Sequence, residues 1–157
     1  ITCPLYAFTE EQIHGHMSNV HEGLKLSSQK IKEHFLPLVD RLLNNQQVAL
    51  IFGAPVAEMY GNSLPDYFNI IKEPMDLGTI KKRLEQSYYR DTKSLLRDVH
   101  LTFDNAMTFN PPKTDPYNLA RTSKSQFDGY YKNTMTEIQK TLEELSTTEE
   151  QEVFKTL

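Results

Sequence analysis

Residues 64–80 read LPDYFNIIKEPMDLGTI, and within this stretch an irregular apolar segment gives way to a helix. Asp76 is a good N-cap, because its carboxylate can accept hydrogen bonds from the free N–H groups of a first helical turn. Apolar residues then recur at helical spacing, at Leu77, Ile80 and Leu84. The stretch therefore predicts a short amphipathic helix that begins after Asp76 and ends near Ser87.

The segment before Asp76 is rich in apolar side chains but has no helical period. Pro55, Gly61, Pro65 and Pro74 interrupt residues 45–76. A connection of this length is uncommon in a compact domain unless it is disordered or functional. Its content of aliphatic and aromatic residues is too high for disorder, so we predict a long loop that packs against the core.

A further amphipathic helix is predicted from Ser28. Its apolar stripe consists of Ile31, Phe35, Leu38 and Leu42. Pro37 lies inside it and is expected to kink the helix or leave its first turns irregular, because proline lacks a backbone donor and crowds the preceding turn. A weaker helical signal from Thr9 to His21 predicts an accessory helix before it.

Two more helices are predicted toward the C-terminus. Asp91 can cap one that runs to Phe109, where Asn110 and two prolines stop it. Asp115 as N-cap and Pro116 as first helical residue open a long helix through Leu145, and Thr148 with Gln151 signals a short tail helix or a frayed end. Four amphipathic helices predict an all-α bundle, since bundling is the simplest way to bury four apolar stripes.

The composition narrows the classes of function. The chain has 157 residues, one cysteine and a formal net charge of −4. One domain is expected at this length, and a lone cysteine fits a reducing compartment such as the cytosol or nucleus. The negative charge argues against binding nucleic acid, and no apolar run approaches the roughly 20 residues that span a bilayer. We therefore expect neither nucleic acid nor a membrane as a partner.

Signatures of catalysis are absent from the sequence. It has no Gly-rich phosphate loop, no Gly-x-Ser-x-Gly turn and no His-Glu-x-x-His helix. His14, His16 and His21 cluster, but only Cys3 and scattered acids could complete a metal site with them. We expect no catalytic residue, no metal and no cofactor.

A binding site is predicted where two connections meet. In an up-down-up-down bundle, the first and last connections lie at the same end. Asn110 opens the last connection, and its side-chain amide offers donors and an acceptor without a formal charge, which suits a neutral amide ligand. The alternative, that Asn110 only ends a helix before proline, is left open by the pattern alone.

Two segments of the chain resemble the bromodomain family, most nearly its bromodomain and extra-terminal type. They are Leu64–Ile80, quoted above, and DNAMTFNPP at residues 104–112. The resemblance implies a left-handed antiparallel four-helix bundle with a long loop between its first two helices and an acetyl-lysine pocket at one end. The predicted limits are therefore residues 28–145 for the bromodomain, 1–27 for an N-terminal extension with an accessory helix, and 146–157 for a tail or short helix.

The resemblance also assigns roles to pocket residues. Asn110 would donate its amide hydrogen to the acetyl carbonyl, Tyr67 would hold a bridging water, and Phe52 and Val56 would contact the acetyl methyl group. The other predicted lining residues are Leu50, Ile51, Leu64, Phe109, Pro116 and Tyr117.

Three places depart from the family pattern, one of them at Phe109, where the family often has tyrosine. Leu50-Ile51-Phe52 stands where many members have Trp-Pro-Phe, so the hydrophobic shelf lacks its indole. Pro116 falls at the position that guards the pocket, with Tyr117 beside it, and the sequence leaves open which of them does so.

The function implied is that of a monomeric, non-enzymatic nuclear module that binds acetylated histone tails or other acetyl-lysine proteins. Acidic residues expected near the pocket, Glu58, Asp66 and Asp115, could favour ligands with basic flanks. Two alternatives stay open at this point. The pocket could be vestigial, in a domain that binds proteins independently of acetylation, or the domain could be an appendage of a larger enzyme.

Overall fold

The protein is helical throughout the part that the structure describes. The computed structural model describes residues 26–64 and 66–156. Its helices are α1 (Ser28–Leu43), α2 (Gln46–Phe52), α3 (Val56–Tyr60), α4 (Tyr67–Ile70), α5 (Leu77–Glu85), α6 (Thr92–Phe109) and α7 (Asp115–Thr156), with a 3₁₀ turn at Gly61–Ser63. No strand occurs within these residues, so the all-α prediction is confirmed. The accessory helix predicted from Thr9 to His21 lies outside the described residues.

These residues fall into two units, one of residues 26–132 and the other including residues 133–156. The first unit has the core of a helical bundle. Phe35 of α1 stacks on Tyr131 of α7 with ring centroids 5.6 Å apart, and Phe52 of α2 packs edge-to-face on Phe103 of α6 at 5.2 Å. The Tyr131 hydroxyl also donates to Thr92 at the start of α6, over 3.2 Å. The predicted domain limits, 28–145, stay a prediction.

Helix α1 follows the predicted pattern with one change of residue. Ile31, Phe35 and Leu42 are buried as predicted, but Val39 is fully buried and Leu38 only half-buried. The helix is continuous through Pro37, and Ser27 caps its first turn by accepting from the backbone N–H of Lys30, so the prediction of irregular first turns is wrong. Pro37 is exposed, which leaves the carbonyl that loses its donor on the hydrated side of the helix.

The segment between α1 and α5 is not the continuous loop that was predicted. It contains α2, α3, α4 and the 3₁₀ turn. The Asn45 side chain starts α2 by accepting from the backbone N–H groups of Gln47 and Val48, over 3.0 and 3.4 Å. The prediction missed these helices because each has seven residues or fewer. Two turns or less are too short for an apolar period of 3.6 residues to emerge.

This connection packs against the core with only part of its apolar content. Val48, Phe52, Tyr67 and Ile71 are buried. Large side chains between them remain exposed, at Leu50, Tyr60, Phe68 and Ile70. The expectation that the apolar side chains of this segment pack against the core therefore holds for the four buried residues and fails for the four exposed ones.

The predicted caps of α5 and α6 are confirmed. The Asp76 carboxylate accepts from the Thr79 backbone N–H over 2.8 Å and from the Thr79 hydroxyl over 2.7 Å. Asp91 accepts from the Ser94 backbone N–H over 2.7 Å. The predicted face of α5 is buried, and α6 ends at Asn110 as expected.

Helix α7 begins one residue earlier than predicted. Its first residue is Asp115, and the Asn118 backbone N–H donates to the Thr114 carbonyl over 3.0 Å, so Thr114 rather than Asp115 precedes the helix. The helix is a single element to Thr156. No separate short helix begins at Thr148, because the long helix already includes that residue.

Candidate binding pocket

The connection between α1 and α5 and the connection between α6 and α7 border one small cavity. Its volume is about 120 Å³. Eight of the ten residues predicted for the site line it: Asn110, Tyr67, Phe52, Val56, Leu64, Phe109, Pro116 and Ile51. The geometric expectation that two distant segments meet at this end of the bundle is met by these residues.

Two predicted lining residues, Leu50 and Tyr117, do not border the cavity. Leu50 is 74% exposed, because α2 turns Val48 and Phe52 toward the core and leaves Leu50 on the outer side. Tyr117 follows Pro116 on α7 and is therefore turned about 100° away around the helix. Of the two candidates for the guarding position, it is Pro116 that borders the cavity.

Six lining residues were not predicted: Ala54, Tyr60, Met75, Asp76, Thr102 and Ala106. Helical spacing could have found two of them, since Thr102 and Ala106 lie eight and four residues before Asn110 on α6. Tyr60 and Met75 gave no such signal, because they belong to the connection whose short helices have no visible period. Asp76 was predicted only as a helix cap.

Asn110 both ends α6 and faces the cavity. Its backbone N–H and its Nδ2 each donate to the Ala106 carbonyl over 2.9 Å. A carboxamide nitrogen carries two hydrogens, so one remains for a ligand after the bond to Ala106. Asn110 lines the cavity and is half-buried, so part of the residue remains accessible. The two interpretations of Asn110 that the sequence left open are therefore compatible.

Aromatic side chains form much of the cavity wall. Tyr67 is buried and packs edge-to-face on Phe109, with centroids 4.9 Å apart, and on Phe68 at 5.3 Å. Burial raises the pKa of the Tyr67 hydroxyl, and the charge of Asp76 adds to the shift. The hydroxyl therefore stays protonated and can donate a hydrogen bond at neutral pH.

The buried polar groups Asp76 and Thr102 are already engaged within the fold. Asp76 accepts the two bonds from Thr79, and the Thr102 hydroxyl donates to the Asp98 carbonyl over 3.0 Å. No lysine, arginine or histidine occurs among the described residues that line the cavity. The wall is thus mainly apolar, with the Asn110 amide as a polar group that retains a free donor.

A close backbone approach fixes one wall of the cavity. A Cβ atom on Gly78 would lie 2.1 Å from the carbonyl oxygen of Gly53, a distance that no side chain tolerates. Glycine at position 78 therefore lets the start of α5 touch the end of α2. This contact holds Phe52 and Ala54, on either side of Gly53, against the cavity.

A second and more open cavity, of about 670 Å³, lies beside the first and shares Met75 with it. Its charged side chains are largely paired with one another. Arg83 binds the buried Asp98 at 2.8 Å, and Tyr89 donates to the same carboxylate over 2.6 Å. These bonds tie α5 to α6, which gives them a structural role.

Neither a metal centre nor a membrane span is found in the described part of the chain. No three His, Cys, Asp or Glu residues gather there in a way that could hold a metal ion. The predicted cluster of His14, His16, His21 and Cys3 lies outside the described residues. Among the described helices, none combines the length and the apolar character needed to cross a bilayer.

Comparison with known proteins agrees with this architecture. The sequence profile of the family described as Bromodomain matches residues 35–122, which is more than half of the chain. The chain therefore belongs to the bromodomain family.

Its curated relatives include several plant transcription factors. It is 36% identical over 118 residues to Transcription factor GTE2 of Arabidopsis thaliana, an alignment that covers 73% of this chain and 20% of that protein. It is 43% identical over 95 residues to Transcription factor GTE9 of the same organism, covering 60% and 14%. It is 47% identical over 78 residues to Transcription factor GTE3, chloroplastic, covering 50% and 17%. The chain thus spans one fifth or less of the length of these relatives.

Proposed function

We propose that this domain binds N-acetyl-lysine in the cavity beside Asn110. The observation that carries the proposal is the half-buried Asn110 amide, which has one hydrogen left for a ligand at the edge of a mainly apolar cavity. That hydrogen can be donated to the acetyl carbonyl. The Tyr67 hydroxyl, which is protonated at neutral pH, can hold a water that bridges to the same oxygen.

Acetylation acts as the switch because it changes the charge of the lysine. An unmodified ammonium group would lose its hydration in this cavity, and Asp76, the carboxylate among the described lining residues, already accepts two hydrogen bonds at the start of α5. Acetylation removes the charge and adds a carbonyl that Asn110 can satisfy. The mismatch for unmodified lysine therefore amounts to several kcal/mol.

The affinity for a single acetylated site is modest. A few buried methylenes contribute about 0.8 kcal/mol each and a net hydrogen bond about 1 kcal/mol, against the ordering of a flexible peptide. We expect a dissociation constant on the order of 10 μM to 1 mM.

Titration calorimetry with paired peptides, identical except for acetylation of one lysine, tests the proposal. We expect heat of binding only with the acetylated peptide, and a loss of at least about tenfold in affinity for Asn110→Ala. Asn44→Ala, an exposed asparagine outside the cavity, is the matched control and should bind as the wild type does. Equal affinity of the wild type for both peptides would falsify the proposal.

The wider role that we propose is that of a monomeric, non-enzymatic nuclear module that recognises acetylated histone tails or other acetyl-lysine proteins. It is supported by the family of the chain and by the description of its relatives as transcription factors. If Asn110→Ala leaves binding of a natural partner intact while the fold survives, the pocket is vestigial and the domain binds proteins independently of acetylation.

A further inference from the structure

The rim of the cavity carries an exposed aromatic ring that the sequence did not assign to it. Tyr60 borders the cavity and is 43% exposed, which makes it the most exposed of the four aromatic residues in the lining. Phe52 and Tyr67 are buried, and Phe109 is half-buried. Tyr60 is therefore the aromatic lining residue most accessible to a part of the ligand that extends out of the cavity.

The local backbone places Tyr60 on this side of α3. Val56 and Tyr60 are four residues apart on the helix, so they share a face, and both line the cavity. The helix ends at Gly61, which has a φ of +54° and donates its backbone N–H to the Ala57 carbonyl. Because glycine accepts this positive φ without strain, the chain can turn there and Tyr60 stays at a defined position.

Tyr60 supplies an exposed aromatic surface at the mouth, which α2 lacks because its own aromatic lining residue, Phe52, is buried. Leu50, at the start of the shelf segment, is 74% exposed and does not border the cavity. The aromatic face at the mouth of this pocket therefore belongs to α3, on the other side of Gly53 and Pro55.

Two other tyrosines of the protein show which side chains an aromatic face attracts. The guanidinium of Arg83 lies 4.6 Å from the centroid of the Tyr88 ring, and that of Arg41 lies 5.0 Å from the Tyr130 ring. Within the described part of the chain, no such cation covers the ring of Tyr60. A cation over an aromatic face is attracted by the negative charge density of the ring. The Tyr60 face is thus open to a cation from a partner.

The charges around the mouth agree with a cationic neighbour. Glu58 is exposed on the same short helix as Tyr60, and Asp115 is exposed next to Pro116 on the opposite connection. Lys113, exposed on that same connection, opposes them in part. The net charge of these three side chains is negative.

We propose that Tyr60 is a specificity-determining residue of the pocket. Its ring binds the side chain of an arginine or lysine that lies within a few residues of the acetylated lysine in the partner. The proposal rests on the proposed function, since the acetylated lysine in the cavity brings the basic residue to the ring.

A double-mutant cycle tests this inference. Two acetylated peptides differ only at the flanking residue, which is arginine in one and citrulline, a neutral residue of the same shape, in the other. We expect the wild type to bind the arginine peptide about two- to fivefold more tightly, as for a cation on an exposed ring. Tyr60→Leu should remove this preference, so that the variant binds the arginine and citrulline peptides with affinities that agree within about twofold, whatever loss of cavity contact is common to both.

Two variants serve as controls for the ring and the site. Tyr60→Phe keeps the aromatic face and should keep the preference for arginine. Tyr88→Leu removes a tyrosine that is 56% exposed and lies outside the cavity, and it should also keep the preference. Thermal unfolding of each variant checks that the fold is intact.

The outcomes separate the two proposals. Equal binding of the arginine and citrulline peptides by the wild type would overturn the role of Tyr60, as would an equal loss of both with Tyr60→Leu. Failure of the wild type to distinguish either acetylated peptide from its unacetylated form would instead overturn the proposed function itself.

Discussion

Asn105 on α6 donates a hydrogen bond of 2.8 Å from Nδ2 to the backbone carbonyl of Glu73. The two residues are 32 positions apart in sequence, and Asn105 is buried. The bond fastens the chain just before α5 to the last turns of α6. Because Met75 and Asp76 lie two and three residues after Glu73 and line the cavity, it also holds one wall of the pocket in place.

Replacement of Asn105 with alanine should therefore lower both stability and ligand affinity. The Glu73 carbonyl would lose its partner, which costs about 1–3 kcal/mol in the free energy of unfolding. Urea denaturation measures this change, and calorimetry with an acetylated peptide measures the loss of affinity. Asn44→Ala, at an exposed position, should change the unfolding free energy by less than about 0.5 kcal/mol. A stability of Asn105→Ala equal to that of the control would contradict the assigned role.

The ion pair of Glu73 with Arg97 should appear in the pH dependence of stability. Arg97 Nη2 lies 2.7 Å from both carboxylate oxygens, and this bond lowers the pKa of Glu73. A carboxyl whose pKa is lower in the folded state stabilises the protein above its unfolded pKa of about 4.3, and this stability is lost as the pH falls through the folded pKa.

Glu73→Gln should thus be less stable than the wild type at neutral pH, with a difference that shrinks in acid. Thermal unfolding midpoints at pH 7 and pH 3 measure it. The effect is small because both side chains are exposed. Glu85→Gln, at an exposed position of α5, is the control. If the difference for Glu73→Gln is as large at pH 3 as at pH 7, the ion pair is not its cause.

Substitution of Gly78, which contacts Gly53, and of Gly129, which has open space around it, should have opposite effects on stability. Gly78→Ala places a methyl group against the Gly53 carbonyl and should destabilise the fold by about 1–3 kcal/mol, because backbone must move. It should also weaken peptide binding, since the displaced segment carries Phe52. Gly129→Ala, where nothing lies within 4 Å of the new methyl group, should stabilise α7 by about 0.5–1 kcal/mol.

Chemical denaturation of the two glycine variants compares them directly. Gly78→Ala with an unfolding free energy at or above that of the wild type would show that the close approach does not constrain position 78.

Pro116 and Tyr117 should differ in their effect on ligand affinity. Pro116 borders the cavity and Tyr117 does not. Pro116→Ala removes apolar contact worth about one methylene, which lowers affinity about two- to fourfold. Tyr117→Ala should leave affinity within about twofold. Calorimetry with the acetylated peptide measures both, and a larger effect for Tyr117→Ala than for Pro116→Ala would reverse the assignment.

The bundle helices were predictable from sequence because their signals are local and repeated. Asp76 and Asp91 are capping residues next to apolar residues at helical spacing, and both caps form as predicted. The helices of the connection between α1 and α5 could not be predicted in this way, because α2, α3 and α4 are too short to show a helical period. Their positions follow from packing between residues distant in sequence, such as Phe52 against Phe103, and a local sequence pattern does not contain this information.

Lining residues of the pocket were predictable when they belong to a segment that resembles the family signature. They were less predictable when the orientation of the side chain on a short helix decides whether it reaches the cavity. Asn110 and Tyr67 lie in such segments and border the cavity. Leu50 shares its segment with Phe52 but faces solvent, because the register of α2 decides which of them turns inward. Tyr60 was missed because no pattern in the sequence predicted α3, the short helix that turns this residue toward the cavity.

Asp76 has two roles, as the N-cap of α5 and as a residue that lines the cavity, so the stability of the first turn of α5 is linked to the shape of the site. The same carboxylate that binds Thr79 at the first turn of α5 borders the cavity. A molecule held in the cavity would thus slow the fraying of that turn. The exchange rate of the Thr79 amide proton with solvent would then fall when a ligand is bound, although Thr79 itself does not line the cavity.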